Sequence, residues 1–385
     1  MYTETLDLTL SRRTIRTAVG AFFFIMGLCF ASWASRIPNI QSQLHLSDAG
    51  LGGVLFALPA GLMAGLPLSG WLVTRYGSRQ IVILAAVMYA STLPFIGLVQ
   101  EPWQLVGVLF MYGLWGNLGN ISVNTQAVGT ELLYGRSIIA SFHGIWSLAG
   151  FTGAAIGALM VSLNVSPFAH FCCISVIAYL LVLVFYKNIL PQDASRDSSQ
   201  PLFVRPNGAL LLLGLIAFCC MICEGAMFDW SGVYFHKVVQ VSEQLTTLGY
   251  VAFMSTMAGG RFIGDWLVVR LGMKRLVQLN GVLIASGLLI AVFFPYLPTA
   301  TVGFLLVGMG VSTVVPLVYG AAGKSKTMSA GVALAAVSSI SFFGFLLGPP
   351  LIGFIAQAAS LRWSFAIVAV LGFCTTILIR KVKVE

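Results

Sequence analysis

The chain has 385 residues, of which 58% are hydrophobic and 9% charged, with 21 Lys and Arg against 12 Asp and Glu and a net charge of +9. A soluble domain carries roughly 25% charged residues, so this chain cannot clothe a water-facing surface. That excludes a cytosolic enzyme, a secreted disulfide scaffold, a disordered protein and an ordinary nucleic-acid binder; at ~20 apolar residues per span, the length suits about twelve membrane helices and little else.

Along the chain, apolar runs predict spans over 17–36, 48–73, 80–99, 103–129, 137–162, 166–187, 208–235, 244–269, 275–295, 299–322, 327–357 and 363–380. With the N-terminus inside, the inner loops and ends receive Arg12, Arg13, Arg16, Arg75, Arg79, Arg136, Lys187, Arg196, Arg205, Arg270, Lys274, Arg275, Lys324, Lys326, Arg380, Lys381 and Lys383. The outer side receives Arg36, Lys237 and Arg362, and Arg261 falls within a span. This asymmetry predicts an even number of spans with both termini cytoplasmic. The basic excess is topological.

The first apolar run is too long for a signal h-region and ends in Ser-Arg-Ile-Pro, so it is expected to remain as a span. The cysteines (Cys29, Cys172, Cys173, Cys219, Cys220, Cys223 and Cys374) all lie in apolar runs, where they read as small packing residues. Cys220 and Cys223 form a CxxC without a second ligand pair, so no metal site is expected.

Residues 188–207 are polar and Pro-containing and read as a cytoplasmic linker between bundles 1–187 and 208–385. Its position at the midpoint prompts a search for a half-length repeat. Trp71-Leu-Val-Thr74-Arg75-Tyr-Gly77-Ser-Arg79 matches Trp266-Leu-Val-Val269-Arg270-Leu-Gly272-Met-Lys274 at an offset of 195. Gly65 pairs with Gly260 and Gly113 with Gly308 at the same offset, and Ser147-x-x-Gly150-Phe151 with Ser341-x-x-Gly344-Phe345 at 194. The pattern predicts two parallel, pseudo-symmetric six-helix bundles, an arrangement suited to alternating access.

The tract Gly70-x-x-x-Thr74-Arg75-x-Gly77-x-Arg79 resembles the loop-2/3 signature of the major facilitator superfamily, Gly-x-x-x-Asp-Arg-x-Gly-Arg-Arg/Lys. Arg75, Gly77 and Arg79 match in place; Thr74 stands where the family has Asp, and Asp265 occupies the second-half position equivalent to Gly70. Further tracts, Ser32-Trp33-Ala-Ser-Arg36-Ile-Pro38, His143-Gly144-x-x-Ser147, Glu224-Gly225-x-x-x-Asp229-Trp230, Gly260-Arg261-x-x-Gly264-Asp265 and Gly348-Pro349-Pro350, resemble a bacterial branch near the fucose permeases. The resemblance implies an all-α integral membrane fold of twelve transmembrane helices in two bundles. It also implies a cavity lined by the first, fourth, seventh and tenth helices, and a sugar- or polyol-like solute.

A charge at bilayer depth costs at least ~2.5–3.5 kcal/mol at a helix centre, so Glu224, Asp229, Arg261 and Asp265 each require a reason. The resemblance puts Glu224 beside the transport path, where a desolvated carboxyl serves proton coupling; the alternative is a helix-packing carboxyl. Asp229 lies ~7–8 Å further out and reads as a second coupling group or as an outer gate with Arg36. Arg261 and Asp265, one turn apart beside Arg270, read as a conformational latch with Arg75, Gly77 and Arg79 as its first-half counterpart. Arg36 is an outer anchor or gate residue.

Solute contacts are expected from a polar stripe in the fourth span, Asn117, Asn120 and Asn124 at i, i+3 and i+7. Interhelical hydrogen bonding is the competing role for these amides. Trp33, Trp146 and Trp230 offer flat faces for stacking, with interface anchoring as the alternative. His143, Tyr319 and Ser341 complete the candidate set. The cavity-depth positions of the first and fourth spans carry no carboxylate, so a proton site shifts to the seventh span.

Gly320-Ala-Ala-Gly323-Lys324-Ser325 mimics a P-loop but has Val318 where its first glycine belongs. There is no HExxH, no GxSxG and no clustered His/Cys/Asp ligand set, so the chain is expected to be neither an enzyme nor a cofactor binder. The expected role is a monomeric secondary transporter, proton-coupled, importing a small polar solute. A proton-coupled exporter of drugs or metabolites is the second reading, and a non-transporting membrane sensor the third. The expected setting is a bacterial inner membrane, with lipid, protons and the solute as partners.

Overall fold

The computed structural model describes residues 11–135, 138–191, 208–325 and 330–382, and among these every regular element is helical. Most of the 188–207 linker, the Asp265 side chain, and Arg136, Arg196, Arg205, Lys326 and Lys383 lie outside the described residues.

The first six predicted spans are carried by α1 (Arg12–Ala34), the pair α3 (Asp48–Leu55) and α4 (Ala57–Tyr76), α5 (Ser78–Ile96), α6 (Pro102–Tyr134), α7 (Ile139–Ser162) and α8 (Pro167–Phe185). The short α2 (Ile37–Gln43) follows α1. The second six are α9 (Gly208–Tyr234), α10 (Leu248–Leu271), α11 (Met273–Phe293), the pair α12 (Leu297–Val311) and α13 (Val314–Ala322), α14 (Ala330–Ala358) and α15 (Leu361–Lys381). Local chemistry sets many of these ends. Proline opens α6 and α8, where the missing N–H is no loss. Ser11, Ser47, Ser166 and Ser360 accept first-turn amides. Glu131 Oε2 accepts from the amides of Ile138 (2.7 Å) and Ile139 (3.0 Å), fixing the entry to α7.

Two predicted spans are broken, for one reason. The second breaks at Phe56, three residues before Pro59; the tenth breaks at Ser312 and Thr313, just before Pro316. Each proline removes the hydrogen bond to the carbonyl four residues back, Leu55 or Ser312, and its ring crowds that carbonyl. By contrast, Pro349 and Pro350 lie within α14 without ending it.

Among the described residues, eleven segments are long and apolar enough to cross a membrane; the eighth predicted span, α10, falls short of them in apolarity. Its 24 residues include Arg261, Asp265 and Arg270, which dilute an otherwise apolar helix.

The chain divides into two compact units. The first gathers the described residues of 1–44 and 57–196; the second gathers those of 197–385 together with 45–56. The second unit thus contains α3, from the sequence before the linker, because α3 crosses α14 at glycines. A Cβ on Gly52 would meet the Pro349 carbonyl at 2.7 Å, and Gly353 approaches Asp48 and Gly52 as closely.

The repeat is visible in each unit's own packing. Gly77 (φ 82°) starts α5 and Gly272 (φ 73°) starts α11, both in a conformation only glycine adopts freely. A side chain on Gly113 would strike the Leu58 carbonyl, and one on Gly308 the Phe253 carbonyl, 195 residues on in both partners. Gly65 abuts Asn117, as Gly260 abuts Ser312. These backbone approaches hold α4 to α6 and α10 to α12.

Candidate functional site

In the second unit, α9 carries Glu224, buried at 6% exposure, facing Arg261 of α10. Arg261 Nη2 lies 3.5 Å from Glu224 Oε1, the outer limit of a hydrogen bond. The arginine side chain is 16% exposed against 8% for the carboxylate, so the cation is the more accessible partner. Tyr319 of α13 lies within electrostatic reach of Glu224. Its hydroxyl is 2.7 Å from Ser341 Oγ of α14. Ser341 donates its own proton to the Ser338 carbonyl at 2.9 Å, so Tyr319 is the donor of that pair. Four helices therefore converge on Glu224, Arg261, Tyr319 and Ser341. An isolated carboxylate at this depth would be very costly; an ion pair flanked by hydroxyls is tolerable.

Asp229 is buried further out on α9, and no salt bridge reaches it among the described residues. Trp230 and Trp33 are buried to 0% and 1% exposure, and their indole N–H groups lack a hydrogen-bond partner among the described residues. Neither ring presents an open face for stacking in this conformation. Trp146 is half-buried, 6.2 Å from Phe30.

The fourth-span stripe divides in two. Asn117 is buried and its Oδ1 accepts from Ser69 Oγ of α4 at 2.7 Å, an interhelical bond. Asn120 is exposed, and Asn124 Nδ2 donates to its carbonyl (2.8 Å) and its Oδ1 (2.5 Å). His143 is exposed on α7, its ring edge-on to Phe23 at 5.5 Å.

Latch candidates fall into separate settings. Thr74, in the slot for Asp, donates to the Gly70 carbonyl of its own helix at 2.8 Å. Arg75 lies 5.5 Å from the Trp71 ring centroid and 5.7 Å from that of Tyr76, and its repeat partner Arg270 lies 4.3 Å from the Trp266 ring. Both arginines stack on aromatic faces in a cation–π contact. Arg79 reaches the carbonyls of Tyr186 and Lys187 at 3.4 Å and ties α5 to the end of α8.

Arg36 is 2% exposed and anchored within its own unit. It donates to His170 Nδ1 at 3.1 Å and to the Val165 carbonyl at 2.8 Å, so α1 is stapled to the start of α8. His170 is not legible in the sequence, because a lone histidine in an apolar run gives no sign of its partner. A second omission is Lys237 Nζ on Asp48 Oδ1, 2.5 Å apart in the second unit. Both residues stand at predicted outer ends of spans, which was the available signal.

Residues 17–331 match the family described as the Major Facilitator Superfamily. The chain belongs to that family. It is 34% identical over 349 residues to an uncharacterized MFS-type transporter of Yersinia pestis, covering 91% of each chain. A partial match, 27% over 195 residues, covers 50% of this chain and 46% of the enterobactin exporter EntS of Citrobacter koseri. Among solved structures, the nucleoside transporter NupG superposes with a TM-score of 0.73 at 14% identity, over 96% of this chain and 100% of that one. That likeness establishes the fold. The protein is accordingly an all-helical, multi-pass membrane protein with the fold of alternating-access transporters. The setting expected from the sequence, the bacterial inner membrane, agrees with its family and its relatives.

Proposed function

We propose that this chain is a proton-coupled secondary transporter of a small polar solute, with Glu224 as the coupling carboxyl. The observation that carries this reading is the Glu224–Arg261 contact, a 3.5 Å charge pair on two helices at bilayer depth, bordered by Tyr319 and Ser341. A carboxylate held this loosely exchanges its arginine for a proton at modest cost, and the change in charge biases the conformational cycle.

Within the first unit Asn120, Asn124 and His143 are the proposed solute contacts, and within the second, Tyr319 and Ser341. Their donors and acceptors suit hydroxyl groups. Asp229 is a secondary proton site. Arg36, Arg75, Gly77, Arg79, Arg261, Asp265 and Arg270 serve the gates, and Trp33, Trp146 and Trp230 become contacts where the cycle uncovers them. The bundle boundaries at 187 and 208 and cytoplasmic termini belong to the same reading, as do a monomeric, non-enzymatic protein and a branch near the fucose permeases. Import of a sugar- or polyol-like solute follows from that resemblance. Export is the second reading, favoured by the EntS match over half the chain.

The test is uptake into proteoliposomes under an imposed pH gradient. Glu224→Gln is expected to abolish gradient-driven accumulation while solute exchange persists. Undiminished accumulation in that variant would remove Glu224 from coupling.

A further inference from the structure

We infer that a groove on the outside of the first unit binds one anionic phospholipid, an acyl chain lying along α1 and the phosphate held by Arg13 and Lys187. The site is separate from the proposed coupling group and does not depend on it.

The groove has a volume of about 240 Å³ and lies between α1, α7 and α8. Thr17, Gly20, Ala21 and Phe24 of α1 line it, with Ile145 of α7 and Phe185 of α8. Gly20 and Ala21, small residues between Thr17 and Phe24, open the depression, which follows α1 for about 10 Å. Apart from Thr17 the lining is apolar. On α8, the least buried of the eleven apolar segments, Leu180, Leu183 and Val184 are exposed beside it. In a bilayer such a surface is covered by hydrocarbon, and a narrow apolar trough takes a lipid chain.

Charge at one end gives the groove its selectivity. Arg13 lies one turn before Thr17 on the same face of α1, and Thr17 Oγ1 donates to its carbonyl at 3.0 Å. Lys187 follows Phe185 by two residues, and Arg79 fixes the chain there by donating to the carbonyls of Tyr186 and Lys187 at 3.4 Å. As the first and sixth spans, α1 and α8 run in opposite directions, so the start of one and the end of the other meet the same membrane surface. Arg13 and Lys187 are exposed, and neither takes part in a salt bridge among the described residues. Lys187 Nζ lies 5.5 Å from the Tyr186 ring centroid, an aromatic and basic pairing suited to headgroup depth. Arg16 is engaged elsewhere: its Nη2 donates to Ser141 Oγ at 3.2 Å, and its guanidinium lies 5.6 Å from the Tyr134 ring centroid. A guanidinium and an ammonium at the mouth of an apolar trough match a phosphate attached to an acyl chain.

A second groove in the same unit supplies the contrast. It has a volume of about 290 Å³, lies between α5 and α6, and is lined in part by Met88, Phe95, Gly107 and Trp115. The loop at its end, residues 97–101, holds no basic residue and carries the exposed Glu101, whose side chain caps α6. Both grooves accept a chain, but only the first offers cations to its headgroup.

The experiment measures Tm of the purified full chain in neutral detergent with dioleoylphosphatidylglycerol or dioleoylphosphatidylcholine, which share their chains. Glycerol 3-phosphate serves as the headgroup without a chain. Phosphatidylglycerol is expected to raise Tm by about 2–4 °C more than phosphatidylcholine, and glycerol 3-phosphate to leave it unchanged. Arg13→Gln/Lys187→Gln should remove that difference while keeping the parent Tm in phosphatidylcholine, which shows that the variant is folded. Ala21→Leu fills the groove, leaves both cations in place and should also shrink the difference. Gly107→Leu fills the second groove and should preserve it. Arg380→Gln/Lys381→Gln removes two charges from the last turn of α15 and should preserve it as well.

Equal stabilisation by the two lipids, or by glycerol 3-phosphate, overturns the inference. So does a preference for phosphatidylglycerol that survives in Arg13→Gln/Lys187→Gln or in Ala21→Leu. A loss in Arg380→Gln/Lys381→Gln as large as in the groove variant also overturns it, since diffuse attraction to the whole basic surface would then suffice.

Discussion

The fourth span and the tenth occupy equivalent places in the repeat, yet they differ where it matters. In the first unit α6 runs unbroken for 33 residues, and Asn117 binds Ser69 of the neighbouring α4. In the second, Ser312 stands at the position equivalent to Asn117, Pro316 splits the helix, and Thr313 accepts from Asn280 of α11 at 2.7 Å. Glycines at backbone crossings recur at the offset of 195; the hydrogen-bonding side chains of the fourth and tenth spans do not. A crossing at which a Cβ would overlap a carbonyl admits only glycine, whereas a hydrogen bond can be made in several ways. The halves therefore share packing and divide chemistry, with neutral amides and an imidazole in one and an ion pair in the other.

The widest expected difference is in transport. Glu224→Gln should eliminate gradient-driven accumulation, whereas Asn120→Leu should raise the solute concentration needed for half-maximal uptake and leave coupling intact. Loss of coupling in the asparagine variant would erase the proposed division of labour.

Next come the shared crossings. Gly113→Val and Gly308→Val each force a side chain into a carbonyl, costing about 1–3 kcal/mol or more by overpacking. Similar drops in Tm for the two variants are expected, and a tolerated substitution in one would show that the repeat is unequal even in its packing.

A smaller effect separates the two asparagines. Asn117→Leu removes the bond to Ser69 and should cost about 1 kcal/mol of stability. Asn120→Leu should leave thermal stability within error while weakening solute binding. Equal stability losses would make the whole stripe structural.

Smallest is Lys237→Ala. Lys237 is half exposed, so losing its pair with Asp48 should cost at most about 1 kcal/mol, less at high salt. A larger, salt-independent loss would mean that α3 depends on this contact for its place on α14.

Much of the fold was legible because its signals are local. The apolar runs locate the spans, Pro59 and Pro316 lie beside both breaks, and Gly77 and Gly272 mark the positive-φ turns. The apolar pattern nonetheless predicts both broken spans as continuous helices; Pro349 and Pro350, which do not end α14, show that proline alone does not settle the outcome. The site was legible in part. Glu224 and Arg261 stood out as charges in apolar sequence, but their mutual contact, across 37 positions, did not. Helical spacing joins Arg261 to Asp265, and position at the outer ends of spans suggests Arg36 for Asp229, whereas in the structure Arg261 meets Glu224 and Arg36 meets His170. The same spacing groups Asn117 with Asn120, which the structure separates into an interhelical bond and an exposed amide.

Composition and hydropathy by themselves determined that the chain lives in a bilayer, and the offset of 195 determined that it is built twice. Both follow from properties summed over many residues, which no single contact can reverse. Tertiary structure alone decided that Arg36 meets His170 over 134 positions and that Lys237 reaches Asp48 over 189. Such pairings depend on which helices cross and at what depth, and a hydrophobic pattern is equally satisfied by many crossings.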